Sequence, residues 1–137
     1  MTIDYEAAAP VLKHAADLID THGWARGELR SQDDRLCAHG AISFAASGRV
    51  YYVEISTEQR RDLLAPPSAS GALAALRVLR VFLERNPLPY DYDGRKGADD
   101  GHEVAGWNDY CAGSPESVTA AMRDAAQWAV DQAMRSA

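Results

Sequence analysis

Cys37 and Cys111 are the only cysteines in 137 residues. Two thiols are too few for the disulfide framework by which small secreted domains make up for a thin core. Lysine is equally scarce, with Lys13 and Lys96 alone, so arginine carries nearly all of the positive charge. The net charge is −6, and no basic stripe of the kind that holds nucleic acid or an anionic membrane is present. No apolar run approaches the ~20 residues that cross a bilayer. The opening Met1-Thr2-Ile3-Asp4-Tyr5-Glu6 has neither a basic nor an apolar signal region, so no secretory leader is expected. Cys-x-x-Cys, His-Glu-x-x-His and any histidine pair at i, i+4 are also missing, so no metal site and no cofactor are expected. These absences describe a cytoplasmic protein with reduced thiols whose partner is a small molecule or another protein.

What remains is an ordinary globular composition, 47% hydrophobic and 25% charged. It is enough for a single domain, residues 1–137, to bury a core without staples. The dominant pattern is alanine-rich amphipathic helix. Val11, Leu12, Ala15, Leu18 and Ile19 form one apolar stripe at helical period, in a helix that starts at Tyr5 or Pro10 and ends at His22 before Gly23. Ser31 followed by Asp34 reads as the start of a second helix carrying Leu36, Cys37, Gly40, Ala41, Phe44 and Ala45, closed by Ser47-Gly48. Leu73, Leu76, Leu79, Phe82 and Leu83 line a third, begun by Ser68 or Ser70 and ended by Asn86-Pro87. Ser56 or Thr57 could cap a short helix through Leu64.

A short helix over residues 102–110 would bury Val104 and Trp107. Ser114-Pro115-Glu116 then opens a last helix that presents Val118, Ala121, Met122, Ala125, Trp128 and Ala129. Val50-Tyr51-Tyr52-Val53-Glu54-Ile55 is the one stretch rich in β-branched and aromatic residues, and it is too short to stand as a sheet. It is a lone extended segment, half a hairpin, an irregular continuation of the helix, or the pairing edge of a homodimer. The expected fold is all-α, a four- to five-helix single domain with one short β segment.

Residues 87–101 read as an irregular, mobile acidic loop. Its aspartates do not match a calcium loop. Setting Gly94 sixth puts Pro89 first, and setting Gly97 sixth puts Tyr92 first, neither being a carboxylate. Arg77 and Arg80, near Glu84, read as a solvated helix face.

Three islands stand out from the helical background: His22-Gly23-Trp24, Cys37-Ala38-His39-Gly40-Ala41 and Trp107-Asn108-Asp109. A cysteine near a helix N-terminus has its thiolate favoured by the dipole, and a histidine–carboxylate pair such as His22 with Asp109 would serve as base and orienter. Cys37, His22 and Asp109 are therefore the candidate catalytic residues, set against the ordinary reading of Cys37 as a small buried apolar residue. Gly40 inside a helix costs roughly 1 kcal/mol against alanine and implies close approach of a helix or a ligand. Asn108 and Asp109 either satisfy nearby backbone groups or line a pocket floored by Gly40 and walled by Trp24 and Trp107.

The sequence Asp17-Leu18-Ile19-x-x-His22-Gly23-Trp24, then 35–42 as Arg-Leu-Cys-Ala-His-Gly-Ala-Ile, then Trp107-Asn108-Asp109, resembles a group of small proteins of actinobacteria and their phages, a domain of unknown function. The resemblance covers most of the chain and implies that Trp24, Cys37, Gly40, Trp107, Asn108 and Asp109 form a shared core or ligand-binding site. Members typically have an apolar residue where His39 stands. No activity follows from it. The functional reading is a non-catalytic helical module that binds a small molecule or a protein. The alternatives are a small enzyme using Cys37 or His22 with Asp109, and an accessory or inhibitor protein of a mobile element or biosynthetic cluster.

Overall fold

The computed structural model describes residues 3–53, 69–94 and 99–136. The expected short helix after Ser56, Arg60-Arg61, the Glu54-Ile55 end of the β-prone stretch and the helix start at Ser68 lie outside the described residues. Within them the chain is all-α, with five helices and no sheet. The helices are α1 (Tyr5–His22), α2 (Ala38–Ser47), α3 (Ala69–Arg85), α4 (Asp100–Gly106) and α5 (Pro115–Ser136). A 3-10 turn, Leu88–Tyr90, follows α3, and a π turn, Trp107–Cys111, extends α4. None of the described helices is long and apolar enough to cross a membrane.

The longest helices, α1 and α5, lie against each other, and α3 packs against both. Alanine makes this close packing possible. Ala8, Ala15, Ala16, Ala72, Ala75, Ala121, Ala125 and Ala129 are fully buried and interdigitate with Leu12, Ile19, Leu76, Leu79, Leu83 and Met122. Each end has a local cause. Asp4 Oδ1 accepts from Ala7 N at 3.0 Å to start α1, and Gly23, at φ +96, sends its N–H back to Ile19 O at 2.8 Å to end it. Ser114 Oγ accepts from Ser117 N at 3.1 Å to start α5, as its Ser-Pro-Glu signal implies.

Two boundaries differ from the sequence expectation. The second helix begins at Ala38, not after Ser31. Ser31 closes a turn instead: its Oγ accepts from Arg35 N at 2.9 Å, its N–H reaches Arg35 O at 2.8 Å, and Asp34 sits at φ +63. Backbone bonds from Leu36 N to Gly23 O (2.9 Å) and Ala25 N to Leu36 O (2.9 Å) hold residues 24–36 as a folded-back loop, so tertiary pairing overrides the local capping signal. The fourth helix starts earlier than expected, because Asp99 Oδ1 caps it at His102 N, 2.9 Å away. Residues 50–53, the described part of the β-prone stretch, are neither helix nor strand.

Candidate functional site

Asn108 is the centre of the arrangement that the three islands form. An i to i+5 bond, Ala112 N to Trp107 O at 2.8 Å, widens the turn after α4. Two consecutive side chains, Trp107 and Asn108, are buried at this turn. Trp107 donates Nε1 to Tyr90 O at 2.7 Å, and Asn108 turns the other way into the 24–37 loop.

The Asn108 side chain is fully buried and fully used. Oδ1 accepts from Trp24 Nε1 at 2.7 Å and from Ala38 N at 2.9 Å; Nδ2 donates to Ala25 O at 3.0 Å and to Asp109 Oδ1 at 2.9 Å. An amide side chain offers two lone pairs and two N–H groups, so none is left over. Asp109 Oδ1 also accepts from Gly27 N at 2.9 Å, and Arg26, stacked 4.5 Å over the Trp24 ring, donates Nη2 to Ala112 O at 2.5 Å. The loop is thereby fastened to the π turn at Trp24, Ala25, Arg26 and Gly27.

The start of α2 is built into the same knot. The first amides of a helix have no partner within it. Here Ala38 N is met by Asn108 and Gly40 N by Cys37 Sγ at 3.3 Å, so Cys37 is the N-cap and not an interior residue. Gly40 has its explanation in backbone packing: a Cβ there would lie 2.2 Å from Leu29 O. Leu29 O is itself the acceptor for Cys37 N at 3.2 Å, so the loop backbone is pressed onto α2.

The candidate catalytic residues are placed as follows. Cys37 is buried, and burial pushes its thiol up to about 11, helped by the nearby Asp109 carboxylate and opposed by the Gly40 N–H. Desolvation thus outweighs the helix N-terminus that was expected to favour the thiolate. His22 is exposed at the end of α1 with its ring tilted against Phe44, centroids 6.0 Å apart, and it shares no hydrogen bond or ion pair with Asp109. An imidazole–carboxylate pair forms instead, among the described residues, between His102 and Asp99, Nδ1 to Oδ1 at 2.9 Å. Among the described residues no group of three His, Cys, Asp or Glu side chains is arranged to hold a metal ion.

Sequence reasoning missed a second polar cluster, between α3 and α4. Arg77 and Arg80 are not a solvated face: both are half-buried and converge on the Asp100 carboxylate, Arg77 Nε to Oδ2 at 2.9 Å and Arg80 Nε to Oδ1. Arg80 also meets Glu84 at 3.0 Å and Glu103 at 3.6 Å. Arginines one turn apart beside a leucine face were the available signal, but the carboxylate that buries them lies 20 residues on. Next to it His39, 0% exposed, joins the first turn of α4 to residue 53. Burial pulls its basicity down to about 4.

This fold, an alanine-packed helical domain with a long loop tied to a π turn by one asparagine, defines a small all-α class of protein. The chain matches the family of unknown function DUF6197 over residues 4–127, and it belongs to that family. No curated protein and no solved structure matches it.

Proposed function

We propose that the chain is a non-catalytic helical module of the cytoplasm, with both thiols reduced, that binds a small molecule or a protein partner through the 24–37 loop. The observation that carries this reading is the complete use of Asn108 in holding that loop against α2 and the π turn. A loop otherwise free to sample many shapes is held in one, and a pre-organised surface loses less entropy on binding. The six candidate residues then divide into two roles. Cys37, Gly40, Trp107 and Asn108 are buried and form the frame, while half-buried Trp24 and Asp109 reach the surface. The same loop also carries a shallow polar depression lined by Glu28, Ser31, Gln32, Asp33 and Arg35.

A thermal-shift panel of metabolites, run on the wild type and on Trp24→Phe, Asp109→Ala and Gln32→Ala, tests the reading. A compound that raises the wild-type melting temperature and loses tenfold or more in affinity across these variants supports it. Compounds whose affinity is indifferent to all three substitutions would place binding elsewhere.

A further inference from the structure

His39 accepts a hydrogen bond from the backbone at one ring nitrogen and faces a carbonyl with the other. Its Nε2 lies 2.9 Å from Val53 N, and its Nδ1 lies 3.3 Å from Gly101 O. A backbone amide nitrogen only donates, so Nε2 holds a lone pair and the ring proton sits on Nδ1. Tyr52 stacks on the ring, centroids 4.4 Å apart at 21°, and meets the His102 ring edge-on at 5.1 Å. Residues 50–53 therefore cover the imidazole and use it as their acceptor. A further tie is Tyr51 N to Ser43 Oγ at 3.3 Å.

We propose that His39 is a proton-operated latch: protonation at Nε2 releases residues 50–53, with the Tyr52 ring, from α2 and the first turn of α4. The bond that breaks is Val53 N–H to Nε2. An imidazolium has an N–H at both nitrogens, so two donors would point at each other and Val53 N would lose its acceptor.

The surroundings do not hold a cation in place of that bond. From α4 and its cap, Asp99 favours the charged ring, but it is engaged by His102, which opposes the ring's charge when itself protonated. Asp100, beside Gly101, is directed to Arg77 and Arg80 of α3. From the covering segment come the rings of Tyr51 and Tyr52, which carry no charge near neutrality. Once the segment lifts, the ring meets water and takes a proton with ordinary basicity. Proton uptake then favours opening, and the open fraction rises about tenfold per pH unit over the window between the open and closed affinities.

Nuclear magnetic resonance on the wild-type protein between pH 7 and 5 tests the latch. At pH 7 the imidazole 15N shifts of His39 should report the Nδ1–H form. Below about pH 6.5 the Val53 amide should lose protection about tenfold per unit, after correction for intrinsic exchange, while staying far less protected throughout than the buried Leu12 and Leu79 amides, which exchange only through global unfolding. In His39→Gln, whose side chain offers an acceptor without titrating, the Val53 amide should be flat over the same range. An Nε2–H form at pH 7 would overturn the latch, even if the variant failed to fold. So would the same slope in His39→Gln, which would assign the effect to carboxylates, or a Val53 protection equal to that of Leu12 and Leu79, which would mean that Val53 exchanges only by global unfolding.

Discussion

Trp24 Nε1 donates to Asn108 Oδ1 across 84 residues of sequence, at 2.7 Å. That oxygen is shared with Ala38 N, so one buried atom sets the position of the loop and the start of α2 together. Asn108→Ala leaves Trp24 Nε1, Ala38 N and Ala25 O without this partner. Each buried group left unsatisfied costs about 1–3 kcal/mol. The expected loss is about 3–5 kcal/mol in urea unfolding at pH 7, accompanied by a shift of the Trp24 indole proton resonance. A loss below about 1 kcal/mol would mean that the loop holds itself.

Two helical glycines should respond in opposite directions to the same added methyl. At Gly40 a Cβ would stand 2.2 Å from Leu29 O, a backbone atom with little room to retreat. Gly40→Ala is expected to destabilise by about 3 kcal/mol, the upper end of what overpacking usually costs, because the contact is rigid. At Gly106 nothing lies within 4 Å, and the backbone is helical at φ −62, ψ −44. Gly106→Ala should therefore stabilise by up to about 1 kcal/mol through the entropy of the unfolded chain. Thermal melts of the two variants side by side decide both.

Cys37 should be unreactive. With its thiol held up near 11 against an ordinary 9.0, the thiolate fraction at neutral pH is about a hundredfold lower than for an unperturbed cysteine. In a Cys111→Ser background, iodoacetamide should alkylate native Cys37 at least that much more slowly than free cysteine at pH 7, with full reactivity recovered in denaturant. A native rate equal to or above that of free cysteine would return Cys37 to the list of nucleophiles.

Asp100 fastens α4 to α3. Its carboxylate receives Arg77 and Arg80, whose side chains are 24% and 22% exposed, while its own is 11% exposed. Asp100→Asn keeps the shape but leaves two half-buried guanidinium groups with less compensating charge. Removing one partner of a buried pair costs about 3–5 kcal/mol. With Glu84 and Glu103 still beside Arg80, about 2 kcal/mol is the expected loss, read by urea unfolding. An unchanged midpoint would show the network to be dispensable.

The helices were legible in sequence because their signals are local. Five apolar residues at helical spacing, Gly23 after His22 and Ser114-Pro115-Glu116 each name an element without reference to the rest of the chain. Of the residues in the three islands, the structure brings Trp24, Cys37, Gly40, Asn108 and Asp109 into one knot. What sequence did not show was non-local. Ser31 caps a turn instead of a helix because Leu36 pairs with Gly23 and Ala25, a contact that local propensity does not encode. Arg77 and Arg80 look solvated until Asp100 is placed against them. His22 and Asp109 were matched by chemistry alone, whereas His102 met Asp99 because three residues on a helix start place them together.

His39 contributes to the pH dependence of the whole fold as well as to that of its own contact. Its folded basicity is depressed to about 4 from an ordinary 6.5, first by burial. A histidine held neutral in the folded state contributes stability that is fully present above about pH 6.5. It is lost as pH falls toward 4, because the closed fold does not take up the proton that the opened or unfolded chain does. Two and a half pH units at 1.36 kcal/mol each set an upper bound of roughly 3 kcal/mol. Asp33 acts in a lower window: its carboxyl is held below the usual range by Ser31 and Arg35, so its share is lost only below about pH 4. Urea midpoints taken at half-unit steps from pH 7.5 to 4.5 should therefore fall steadily below pH 6.5 in the wild type. The same series for His39→Gln should be nearly flat down to pH 4.5, and a parallel fall in both proteins would remove His39 as the cause.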